Sequence, residues 1–251
     1  MSLNVCNDQL LMLLLPPERI VSITWLSRSE GDPDLLSIAQ SLPINHGSAE
    51  EVLAARPDLV LAGRFTTAAT RALLKRAGVA MIEVDAASDW EGIRRITREV
   101  AAHLGQAQRG EQLIAAMDAD LAALAQERPF PPVRAMGWSG AAEDVPSGDT
   151  LFDTILQAAG GINVAAAYSW RGYDVEQVLR LEPEVLMRGS AYSGKPALRD
   201  VTAMHPVLRQ RYAGRTLTYP EGVYGCGTPS AARWARELSR SLRDVRAGAS
   251  Q

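Results

Sequence analysis

The residues of this chain best suited to chemistry are arginines and aromatics at the ends of apolar runs, and what they suit is capture rather than bond making. Arg64 and Arg188 each adjoin a glycine, Gly63 and Gly189, at the close of an apolar run, and Arg171 lies in the loop before the second run. Guanidinium groups from those positions, facing one space, would hold an anion through charge-assisted and often bidentate hydrogen bonds. Trp25, Trp138 and Trp170, with Phe65 beside Arg64, occupy similar loop positions. Their flat faces suit corrin, porphyrin or catechol rings. His46, Tyr192 and Tyr224 are residue types that ligate haem iron. Each residue also has an ordinary reading, as a solvated arginine or as an aromatic anchoring its own loop. Trp90 and Trp234 fall in helical patterns and read as packing residues, His103 as a helix-surface residue, and His205 beside Pro206 as a helix start.

Two patterns approach catalysis and miss it. The run from Gly189 to Pro196 follows an apolar strand like a phosphate-binding loop, but Pro196 stands where a serine or threonine hydroxyl would reach magnesium. Gly137-Trp138-Ser139-Gly140-Ala141 follows a strand as a hydrolase nucleophile elbow would, with His205 imaginable as its base. An elbow runs straight into a helix, whereas a loop containing Pro146 and Gly148 follows here. CxxC and HExxH spacings are absent, so no isolated metal site is expected. A serine hydrolase is the alternative of another class; the leading expectation is a protein that is not an enzyme and has no resident cofactor.

What must position these residues is a repeat. Ser48 to Gly63 reads SAEEVLAARPDLVLAG and Asp174 to Gly189 reads DVEQVLRLEPEVLMRG. Glu50, Val52, Leu53, Pro57 and Gly63 recur at Glu176, Val178, Leu179, Pro183 and Gly189, at a constant offset of 126 residues in a chain of 251. Each copy predicts a short acidic helix, a proline that ends it, and a buried strand. Short apolar runs alternating with helical segments on either side have the rhythm of parallel strands with helical crossovers. Between the halves, Ser88 to Glu91 reads as a capping box opening a helix to about Leu104. A second helix follows to Arg128, about 30 Å long and enough to bridge two lobes. The fold class is therefore α/β: an N-terminal Rossmann-like lobe over 1–104, a linking helix over 105–128, and a C-terminal Rossmann-like lobe over 129–251, with parallel sheets. Ligand loops belong at the carboxyl ends of such strands.

The bulk numbers fit a folded globular protein, with 47 % hydrophobic residues. A net charge of −3 with scattered basic residues gives no reason to expect nucleic acid as a partner. The longest apolar run, Leu10 to Leu15, is far too short to span a bilayer. Cys6 and Cys226 are the only cysteines and read as cleft-edge loop residues of opposite lobes. They could be bonded, restricting lobe motion, or remain free thiols.

This order of parts resembles the substrate-binding proteins of ABC importers that carry iron chelates, cobalamin and haem. The resemblance rests on PERIVSI (17–23), AEEVLAARPDLVLAG (49–63), GVAMIEVDAAS (78–88), SGDTLFDTILQAAGGIN (147–163) and VEQVLRLEPEVLM (175–187). It implies a monomer of two lobes on one long helix, with the ligand held between them. It further implies that Glu50 and Glu176 seat in arginine pockets of a permease dimer, although a first-turn glutamate also simply suits the helix dipole. Catecholate binders of the group carry arginines at similar strand ends and a tyrosine in the last loop, here EGVYGCGTP with Tyr224. The expected ligand is a ferric siderophore, with cobalamin or haem as the alternative. The expected setting is the periplasm or another extracytoplasmic space, with a secretory leader removed ahead of Met1.

Overall fold

The computed structural model describes residues 1–138, 148–167, 174–189 and 205–248, with Trp138 as backbone alone. Contacts divide the chain into two units, Met1–Ile114 with Gly225–Pro229, and Ala115–Tyr224 with Ser230–Gln251. Both are α/β units with parallel strands.

The first unit runs α1 (Val5–Leu14), β1 (Ile23–Thr24), α2 (Leu36–Ser41), β2 (Ile44–Asn45), α3 (Ala49–Ala55), β3 (Val60–Ala62), α4 (Ala68–Arg76), β4 (Met81–Glu83) and α5 (Trp90–His103). β1 pairs with β2, and β3 with β4. Residues 1–3 connect the two pairs: Ser2 N donates to Ser22 O, Leu3 N to Leu61 O, and Leu61 N to Met1 O. α1 is buried on nearly every side, its polar Asn7, Asp8 and Gln9 included. It is therefore a core helix, unlike the amphipathic helices that cover a sheet from the solvent side.

The helix α6 spans Ala107–Glu127 and contributes residues to both units. In the first unit, Glu111 pairs with Arg98 of α5 at 2.7 Å, and Arg109 Nε donates to Leu13 O of α1. In the second, Asp120 and Glu127 hold Arg236 of the closing helix Ala231–Gly248 at 2.9 and 3.0 Å. Each end of α6 is thus bonded to its own unit.

The second unit continues with β5 (Val133–Trp138), α7 (Leu151–Ala158), β6 (Gly161–Asn163), α8 (Val175–Leu181), β7 (Val185–Gly189), a helix over Pro206–Arg211 and β8 (Thr216–Tyr219). The sheet order is β6-β5-β7-β8, all parallel. β6 is three residues placed straight after the Gly160 turn, with no strand pattern of its own in the sequence. The stretch EGVYGCGTP reads as loop in the sequence, yet it contains a short helix, Glu221–Tyr224.

The repeat is structural down to its caps. Ser48 caps α3 in a capping box with Glu51, and Asp174 caps α8 in one with Gln177. Both helices end on a residue in the left-handed region, Arg56 at φ 48° and Glu182 at φ 45°, each directly before the repeat proline. The prolines disfavour right-handed helical geometry in their predecessors, and the chain leaves each helix by the same turn. The start of α5 differs from the sequence reading. Its cap is Asp89, whose side chain accepts from Gly92 N, one residue later than the expected Ser88.

After the helix Glu221–Tyr224 the chain returns to the first unit for five residues, Gly225–Pro229. Gly227 allows the return: its φ is +65°, and a Cβ there would lie 2.7 Å from Ala87 O. Gly227→Ala should combine left-handed strain with a backbone clash, costing about 1–3 kcal/mol. A lowered urea midpoint would register it, and an unchanged midpoint would mean that this segment adds little to the fold.

Candidate ligand-binding face of the first unit

Arg64 and Phe65 are the central residues of a turn that follows β3. Thr66 N closes the turn on Gly63 O at 2.9 Å, and Thr66 Oγ1 accepts from Gly63 N. Arg71 of α4 braces it from beneath, donating to the Gly63 and Thr66 carbonyls. With its backbone so occupied, the turn presents its side chains outward. Phe65 is 69 % exposed, and the Arg64 guanidinium lies over its ring at 4.9 Å. A cation stacked this way keeps in-plane N–H groups for an anion while the aromatic face offers apolar area.

Asn4 and Asn7 fix the approach to that turn. Asn7 Nδ2 donates to Ala62 O, and Asn4 caps α1 by accepting from Asn7 N. A Cβ on Gly63 would come within 2.6 Å of Asn4 Nδ2 and 2.8 Å of Val84 O, so the repeat glycine makes room for this contact. Cys6, Arg64, Phe65, Asp85 and Cys226 line one small hollow beside it.

Cys6 and Cys226 form a disulfide, 220 residues apart in sequence. Their expected placement on opposite lobes is corrected. Cys6 lies in the first turn of α1, and Cys226 lies in the segment that returns to the first unit, so both belong to one body.

Trp25 opens a 3-10 turn, Trp25–Arg28, directly after β1 and is 48 % exposed. The turn is held at both ends. Asp8 Oδ2 accepts from Thr24 N at 2.9 Å, Thr24 Oγ1 at 2.5 Å and Ser27 Oγ at 2.7 Å. Arg28 donates to the carbonyls of Ala39 and Leu42, which makes it a structural tie.

His46 is exposed, and its Nδ1 lies 3.1 Å from Glu51 Oε1. Desolvation raises the Glu51 carboxyl pKa, but the donors of His46 and Ser48 outweigh it and hold it at about 2. The Nδ1 side of the imidazole is thus engaged at the α3 cap. Tyr224 is corrected from loop ligand to core residue: it is buried on the short helix Glu221–Tyr224 and stacks on Phe152 and Tyr219. Burial raises its hydroxyl pKa well above the ordinary value. Arg188 sits within β7, in register with Trp138 and Thr218. It matches Ala62 of the first repeat, so Arg64 and Arg188 are not the equivalent positions that the flanking glycines suggest. Ser139, Trp170, Arg171 and Tyr192 lie outside the described residues, as does the Trp138 side chain. Of the residues read as structural, His205 caps its helix by accepting from Val207 N, and His103 contacts Glu99 O on α5. Among the described residues, no cluster of three or more His, Cys, Asp or Glu could hold a metal ion, and no helix is long and apolar enough to cross a membrane.

A family model described as "Periplasmic binding protein" matches residues 1–216. The chain belongs to the periplasmic binding protein family. Among solved structures it is similar to the periplasmic heme-binding protein RhuT from Roseiflexus sp. RS-1, with 24 % identity, 97 % of each chain covered and a TM-score of 0.80. HutB, the periplasmic heme-binding protein of Vibrio cholerae, gives 19 % identity over 96 % of this chain and 97 % of that one, with a TM-score of 0.77. The molybdate periplasmic binding protein MolA of Haemophilus influenzae gives 15 % identity over 99 % and 86 %, with a TM-score of 0.74. At these identities the likeness shows the fold alone. No curated protein sequence gives a significant match.

Sequence reasoning missed Asp8, a strongly perturbed carboxyl in the first unit of this periplasmic binding protein. Its only signal was an acid in the polar stretch Asn7-Asp8-Gln9 directly before the apolar run Leu10 to Leu15, where a carboxyl drawn into the core survives burial only with partners. Burial raises its pKa from 3.8 to about 6, against the opposing pull of the Ser2, Thr24 and Ser27 hydroxyls and the Thr24 amide. A folded-state pKa above the unfolded one means that the folded protein holds this proton more tightly. Stability therefore falls as pH rises from about 4 to 6, by about 3 kcal/mol in all, and this contribution is flat above that window. Asp8→Asn should remove that downward slope from urea denaturation measured at about pH 4 to 7. An unchanged slope would place the titration elsewhere.

Proposed function

We propose that this protein is the extracytoplasmic substrate-binding component of an ABC importer, that it is not an enzyme, and that its ligand is a flat anionic tetrapyrrole of the haem type. One observation carries the reading: an exposed aromatic face with a guanidinium stacked on it, on a braced turn at the carboxyl end of β3. Such a pair accommodates a planar ring and a pendant carboxylate together. RhuT and HutB, which share the fold, are heme-binding proteins.

A ferric catecholate siderophore is the second reading. Arg64 suits a catecholate as well as a carboxylate, and one of the candidate iron ligands, Tyr224, is engaged in the core. Tryptophan quenching against haemin, ferric catecholate, ferric hydroxamate and cobalamin separates these readings, with the haem absorbance band as a second signal. Tight haemin binding should weaken about tenfold or more in Arg64→Ala, the loss of one charge-assisted contact. Preference for the catecholate would move the assignment to a siderophore, and binding of none of the four would sink both.

Glu50 and Glu176 support the importer reading. Each occupies the same position in its helix and is exposed, while the capping boxes are closed by their neighbours Glu51 and Gln177. The helices therefore do not need these carboxylates for their caps, and the pair is available for arginines of a permease dimer. Glu50→Arg combined with Glu176→Arg should abolish uptake in cells while leaving ligand affinity unchanged. Loss of affinity in the purified double variant would assign the glutamates to fold or ligand instead.

A further inference from the structure

We propose that Asp8 is the positioning residue of the ligand face: through the turn Thr24–Ser27 it sets the orientation of Trp25, making that ring a second wall of the site that carries Arg64 and Phe65. The proposal rests on the reading of this face as the ligand site and adds the device that shapes it.

Three observations carry it. First, Asp8 is fully buried and one oxygen, Oδ2, gathers donors from both sides of Trp25, the amide and hydroxyl of Thr24 before it and the hydroxyl of Ser27 after it. A single acceptor shared by residues flanking one side chain fixes the backbone that carries it. Second, Trp25 itself is half-exposed although its neighbour Ser27 is buried, so the turn directs the indole outward. Third, Asp8 belongs to the same head of α1 as Asn4, Cys6 and Asn7. Asn7 holds Ala62 at the end of β3, and Asn4 stands against Gly63. One helical turn therefore references the strand ends that lead to Trp25 and to Arg64, and a shift in that turn moves both.

The alternative is that Asp8 merely fills the core, and Trp25 emission separates the two. The Trp25 signal is obtained as the difference between each protein and the same protein carrying Trp25→Phe, together with its accessibility to acrylamide and the haemin affinity. Asp8→Ala should shift the Trp25 emission, raise its acrylamide quenching and weaken haemin about tenfold, the worth of a hydrogen-bonded charged group. Asp8→Asn keeps the shape and one acceptor oxygen and should restore all three. If Asp8→Ala does not fold, Ser27→Ala and Thr24→Val remove the two hydroxyl bonds from the other side, leave the Thr24 amide bond in place, and should give smaller shifts of the same sign. A Trp25 signal unmoved in every folded variant overturns the proposal whatever happens to haemin. If the unsubstituted protein fails to bind haemin, that failure falls on the functional reading, and the Trp25 signal with its rescue by Asp8→Asn still decides the positioning role.

Discussion

Parallel strand pairing is the constraint on which this structure depends. It aligns the carboxyl ends of β1 with β2 and of β3 with β4 in the first unit, and those of β5 to β8 in the second. Each strand must then be followed by a crossover before the next can pair, and the turn into that crossover is where side chains leave the sheet. Trp25 after β1 and Arg64 with Phe65 after β3 are exposed because they occupy those turns, while the strands that deliver them are buried. The same geometry leaves strand-end amides and carbonyls without ladder partners, which something else must satisfy.

Most of the fold was legible because the repeat carries its own punctuation. Ser48 and Asp174 are capping residues at matching positions, and Pro57 and Pro183 follow helices whose cap residues, Arg56 and Glu182, take the same left-handed conformation. Local chemistry of that kind survives in sequence because each signal acts over a few neighbouring residues. Short elements escaped it. β6 has three residues and sits at the sheet edge, and the helix Glu221–Tyr224 has four, too few for either period to show.

The candidate site was legible only where a strand-end position alone decides exposure. Arg64 and Phe65 qualify, since both follow the glycine that closes an apolar strand. Tyr224 does not: it adjoins a glycine-rich stretch in sequence, but its ring completes an aromatic cluster with Tyr219 and with Phe152, which is distant in sequence. Arg188 shows the complementary error. Its place beside the repeat glycine makes it look equivalent to Arg64, yet it precedes the glycine and lies inside the strand. The disulfide partners stand out as the only two cysteines, while their placement depends on a return of the chain to the first unit that no local pattern announces.

The polar turn at the head of α1 ties the stability of the core to the shape of an exposed turn. An apolar helix would bury more hydrophobic area, but it would leave Thr24 N to be satisfied by some other group, at a cost of about 1–3 kcal/mol if it were left bare. Asp8 supplies that partner from within the core, and Asn7 adds a second donor to Ala62 O beside Val84 N. The burden of the solution falls on Asp8, whose burial disfavours its charged form, and three donors on one oxygen offset part of that penalty. A buried carboxyl is tolerable at this position because each of its bonds also fixes a strand end that bears an exposed aromatic. Desolvation is thus concentrated where it fixes the backbone of an exposed turn.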